Sequence, residues 1–204
     1  MKYTLTAPAS FVTDNARAAM PADWQAEVAA LEQYIRSNPS FSTQAEYDNV
    51  VAKLHELIKP ITQKAGQAGE LYAHDIHEIT RKAPLTEPVV WGGITYQFVD
   101  IAGNKVKKNL VVGRGGTLGF EYHDFKHEQL DVFEGFCIFI SSIHGSDGWQ
   151  EGNVTLQLAT KGDTITFLPK DEHGLIALTD CVVQETSTFH LEDLIFIFNS
   201  SQPA

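Results

Sequence analysis

Gly119–Gly135 reads GFEYHDFKHEQLDVFEG, and its spacing decides how the rest of the chain is understood. Glu121 and His123 are two residues apart, so on a β-strand they share one face, with Phe120 and Tyr122 on the other. Glu128 follows five residues after His123, and Gly135 seven after that. A further histidine, His173, stands far downstream in Lys161–Gly174, KGDTITFLPKDEHG. Two His-bearing strand segments, distant in sequence, predict a barrel whose interior gathers side chains from different strands.

Outward from this stretch the chain obeys two periods. From Pro88 on, short β-rich runs alternate with turn residues. The predicted strands are Val89–Trp91, Ile94–Ile101, Lys107–Val112, Leu118–His123, Asp131–Ile140, Val154–Ala159, Thr164–Leu168, Leu175–Leu178, Cys181–Glu185 and Leu194–Phe198. Such a series indicates a sandwich or barrel rather than a parallel sheet with crossover helices. Residues 1–87 read differently. Trp24, Val28, Leu31, Tyr34 and Ile35 recur at helical spacing over Pro21–Arg36. Thr43 and Glu46 form a capping box for a second helix carrying Tyr47, Val50, Val51, Leu54, Leu57, Ile58 and Ile61, which Pro60 is expected to kink or end. A weaker third helix is predicted over Glu70–Lys82. These apolar faces need burial, so the helices are expected to pack as an extension on the outside of a β-domain at 88–204.

With 204 residues and 43% hydrophobic content, one such domain can build a substantial core. A formal net charge of -11 argues against nucleic acid and anionic membrane as partners. Cys137 and Cys181 sit in apolar segments and read as buried free thiols, which with the lack of a signal-like N-terminus or an 18-residue apolar run predicts a cytoplasmic protein.

The first stretch resembles the opening motif of the cupin superfamily: a glycine, two histidines flanking one residue, a glutamate three or four residues on, then six residues and a glycine. His123 takes the place of the second histidine, Glu128 the glutamate and Gly135 the final glycine, while Glu121 stands where the first histidine would be. Gly162, Asp163, Pro169 and His173 are similar to the second motif, with Pro169 and His173 one residue closer than usual. VQETSTFHLED, Val183–Asp193, resembles the last strand of small cupins related to sugar-phosphate isomerases. The resemblance covers roughly Val89–Phe198 and implies a mainly β fold, a double-stranded β-helix (jelly-roll) barrel with an N-terminal helical extension. Cupins often pair through their sheets, so a homodimer is expected.

The resemblance also implies a metal site. His123, Glu128 and His173 would make a two-His, one-carboxylate set for a divalent ion such as Mn, Fe, Zn or Ni, with Glu121 as a fourth ligand or as a base. The activity that the resemblance implies is isomerisation or another proton transfer on a small polar metabolite, with a sugar or sugar-derived acid as the expected substrate. The alternatives are a non-catalytic ligand-binding cupin, a metal-dependent lyase or an Fe(II) dioxygenase. His127 at the rim, Tyr96 and Arg114 are the candidate substrate contacts, although Tyr96 also reads as packing and Gly113–Gly116 as an ordinary hairpin. His74 and His77 read as a solvated helix face, His144 as a loop residue, and His190 as exposed.

Overall fold

The computed structural model describes residues 1–67, 87–146 and 149–199. The third predicted helix, with His74 and His77, lies outside them. Glycine and turn punctuation divides the β-rich part into β3 (Glu87–Val89), β4 (Gly92–Asp100), β5 (Lys105–Val112), β6 (Phe120–Tyr122), β7 (Glu128–Glu134), β8 (Phe136–Ser142), β9 (Asn153–Thr160), β10 (Thr164–Phe167), β11 (Glu172–Ala177), β12 (Cys181–Ser187) and β13 (Ile195–Phe198). The single run predicted over Asp131–Ile140 is two strands in two sheets. Gly135 makes the break: its φ is +86°, and a Cβ there would collide with the Asp180 carbonyl.

The N-terminal part also supplies strands that helical periodicity did not reveal, β1 (Tyr3–Thr6) and β2 (Ser40–Phe41). One sheet runs β13-β6-β11-β8-β9-β1-β2, the other β10-β7-β12-β5-β4-β3. Within them, β5 to β12 interleave as β6-β11-β8-β9 facing β10-β7-β12-β5, the order of a jelly roll wound from two Greek keys. Alternation separates two apolar cores. Cys137, Phe139, Leu175, Ala177, Leu130, Val132, Cys181 and Val183 fill the space between the sheets. Ile138, Ile140, Ile176, Leu156 and Leu158 point out of the seven-stranded sheet toward helices. Both cysteines are buried and free.

The α-helices among the described residues are α1 (Asp14–Ala19), α2 (Gln25–Arg36) and α3 (Gln44–Gln67), with a 3-10 turn at Ala22–Trp24 leading into α2. Trp24, Val28, Leu31 and Ile35 beside and along α2, and Tyr47, Val51, Leu54, Ile58 and Ile61 along α3, share one buried cluster with that outer sheet face. At the start of α3, Thr43 Oγ1 accepts from the Glu46 amide at 3.3 Å, while Glu46 reaches back to Ser42. Pro60 does not end α3, which continues to Gln67. No helix among the described residues is long and apolar enough to cross a membrane.

Candidate metal centre

Register brings the two distant motifs together. In the β6–β11 ladder Glu121 lies directly opposite His173, so both side chains enter the space between the sheets. His123 follows just after β6, and Glu128 opens β7 in the facing sheet. These four residues line a cavity of about 280 Å³ together with Lys108, Lys126 and Glu185. Trp91, Leu110, Leu118, Leu194 and Phe196 give it apolar walls. His190, expected to be exposed, is half-buried and lines it too, because the segment after β12 folds over the mouth.

Each imidazole is oriented by a backbone carbonyl. His123 Nδ1 is bonded to the Asp193 carbonyl, and His173 Nδ1 lies 3.2 Å from that of Asp171. Both Nε2 atoms are left facing the cavity. Phe167 stacks on the His173 ring with centroids 4.3 Å apart. Asp193 also fixes the turn between His123 and Glu128, since its carboxylate accepts the amides of Asp124, Phe125 and Lys126 at 2.9, 2.7 and 2.9 Å.

Charges alternate through the cavity. Lys108 Nζ lies 3.0 Å from Glu185 Oε2, and Lys126 Nζ 2.8 Å from Glu185 Oε1. Lys126 is also paired with Glu128, whose other oxygen is 2.8 Å from His173 Nε2. Burial alone would raise the Glu128 carboxyl, but His173 and Lys126 outweigh it and hold it well below the usual carboxylate range. Burial likewise disfavours the His173 imidazolium, yet Glu128 pushes its pKa up. Burial lowers Lys126, and its two carboxylate partners more than restore it. Glu121 is raised, chiefly because its carboxylate loses water.

The donor set fits a divalent ion. Glu121, His123 and His173 each offer an atom within 4.8 Å of the others. Glu128 Oε2 stands 3.5 Å from His123 Nε2, and Glu121 Oε1 4.0 Å from His173 Nε2. With metal–donor bonds of about 2.1 Å, donors of one shell stand about 3–4 Å apart, which these distances match. Nδ1 atoms tied to carbonyls are the usual support of metal-bound imidazoles. The competitor is Lys126, the cation that already faces Glu128.

Tyr96, Arg114 and His127, the expected substrate contacts, are not among the residues that line this cavity. Tyr96 lies opposite Lys108 in the β4–β5 ladder, but the cavity lining reaches only Lys108. Arg114 is exposed, its amide donating to Asp180 and its guanidinium lying by Gly66 near the end of α3. His127 points outward between the inward-facing Lys126 and Glu128, its amide held by Thr188 Oγ1. His144 is indeed in a loop, edge-on to Trp149. Lys108, Lys126 and Glu185 were not anticipated.

No protein-family model matches the sequence, and no curated protein matches it. Among solved structures, the capsular polysaccharide assembling protein CapF from Staphylococcus aureus is similar with a TM-score of 0.46 and 18% identity over 57% of this chain and 32% of that one. KdgF from Halomonas sp. is similar with a TM-score of 0.42 and 15% identity, over 54% of this chain and 89% of that one. An oxalate oxidase is similar with a TM-score of 0.41 and 14% identity over 52% of this chain; the match spans 54%, about half, of its length. Independently of these, the interleaved order of β5 to β12 is the jelly-roll order, and Glu121, His123 and Glu128 of the first motif meet His173 of the second between its sheets. On that topology, the chain has the double-stranded β-helix, or jelly-roll, fold, an architecture that cupins share with other β-proteins.

Proposed function

We propose that the chain is a metal-dependent cupin enzyme that moves a proton on a small polar metabolite, with a sugar or sugar acid as the substrate class. The observation that carries this reading is the convergence of two carbonyl-oriented imidazoles and two carboxylates on one cavity. His123, His173 and the strongly ionised Glu128 would hold the ion, with Glu121 close enough to join them. When bound, a divalent ion would polarise a carbonyl or hydroxyl of the metabolite. Glu121 is the base in this reading, because burial raises its affinity for a proton while it still faces the cavity. Leu194 and Phe196 limit water around it, and Lys108 adds a positive group to the wall.

Metal analysis of protein purified without added metal is the first test, and a content far below one equivalent would refute the metalloenzyme. Incubation with a panel of aldoses, ketoses and uronic acids in D₂O is the second, since proton transfer exchanges a carbon-bound hydrogen that NMR detects. Glu121→Gln should keep the ion and lose exchange by a factor of about 10²–10⁴; loss of the ion instead would make Glu121 a ligand. The salt bridge of Lys126 to Glu128 favours a second reading, a cupin that binds its ligand without metal. The metal content separates the two.

A further inference from the structure

We propose that Lys126 is a tethered cation that competes with the divalent ion for Glu128, so that this side chain sets the metal affinity of the site. The inference rests on the metal-binding reading above. Lys126 is buried, its side chain 7% exposed, and its ammonium contacts Glu128 and Glu185 while lying 3.4 Å from His123 Nε2. It therefore faces two of the groups that would hold the ion.

The backbone keeps it there. Asp193 grips the amides of residues 124, 125 and 126, so the Lys126 Cα is fixed and only the side chain can withdraw. Glu185 offers the place to withdraw to, because its Oε1 already accepts the ammonium at 2.8 Å while Lys108 occupies Oε2. An arriving divalent ion shares Glu128 with a like charge in a water-poor cavity, or displaces that charge toward Glu185. Either course weakens binding relative to a site with an uncharged residue at 126.

The test is titration of MnCl₂ and ZnCl₂ by calorimetry into chelator-treated, dialysed wild type, Lys126→Met and Lys126→Gln. Glutamine keeps polar contact with both carboxylates and guards against a folding failure of the methionine variant. Both variants should bind at least about tenfold more tightly than wild type, about 1.4 kcal/mol. Lys53→Met, at an exposed pair with Glu56, should leave the affinity unchanged, showing that net charge alone does not act. Equal or weaker binding by the Lys126 variants, with wild type still binding, would overturn the competition and leave the metal reading intact. No uptake by any of the proteins would remove the metal reading and the competition with it. Failure of both variants to fold even with the ion present would also count against it, since a competing ion should replace the lost charge.

Discussion

Glu128 and His173 hold each other in opposite charge states, and this governs how the cavity answers to pH. The depressed Glu128 stabilises the fold fully above the ordinary value of 4.5, and that contribution is lost as pH falls through its lower folded value. The raised His173 contributes fully below 6.5 and loses its contribution as pH rises through its higher folded value. In chelator-treated protein, the Tm difference between wild type and His173→Gln should be largest between about 4.5 and 6.5 and narrow on both sides. A difference flat with pH would sink this coupling. Glu121 has the opposite sign: ionising it in its water-poor position costs stability. Glu121→Gln should accordingly gain on wild type as pH climbs above 4.5, read from the same melting curves.

At the scale of elements, two short devices shape the site. Gly135 turns the chain from β7 into β8, and Gly135→Ala should cost about 2–4 kcal/mol in urea unfolding, since both its φ and the Asp180 carbonyl oppose a Cβ. Asp193 secures the turn that carries Lys126. Asp193→Ala should cost about 1–3 kcal/mol and weaken divalent binding as well, because the carbonyl that orients His123 moves with it. The sequence made the strands readable because their period is two, and it placed Glu121 and His123 on one face for the same reason. Lys108 was equally readable: it is in phase with Leu110 and Val112, as Glu185 is with Cys181 and Val183. Lys126 was not, because no period runs through its turn and its position depends on Asp193, 67 residues away. Pro60 does not end α3, because burial of Ile58 and Ile61 in the cluster shared with the sheet outweighs the amide that proline lacks.

At the scale of the whole molecule, one buried cluster runs from α2 and α3 through β1 into β8, β9 and β11. Helices and sheets should therefore unfold together. Far-ultraviolet dichroism and tryptophan fluorescence, reporting from Trp24 in the helical layer and Trp91 at the cavity, should give superimposable urea transitions; separated midpoints would mean two units. Leu31→Ala should shift both curves alike, by about 2–5 kcal/mol. The pairing of His173 with Glu128 has a mechanical consequence. It joins β11 of one sheet to β7 of the other at the open end, while Ala177, Val132 and Cys181 join the same sheets by apolar packing at the closed end. The barrel is thus latched by charge at its mouth and hinged by oil at its base. Any occupant that strengthens the latch should slow amide exchange at the mouth ends of β7 and β11 and leave exchange at their base unchanged.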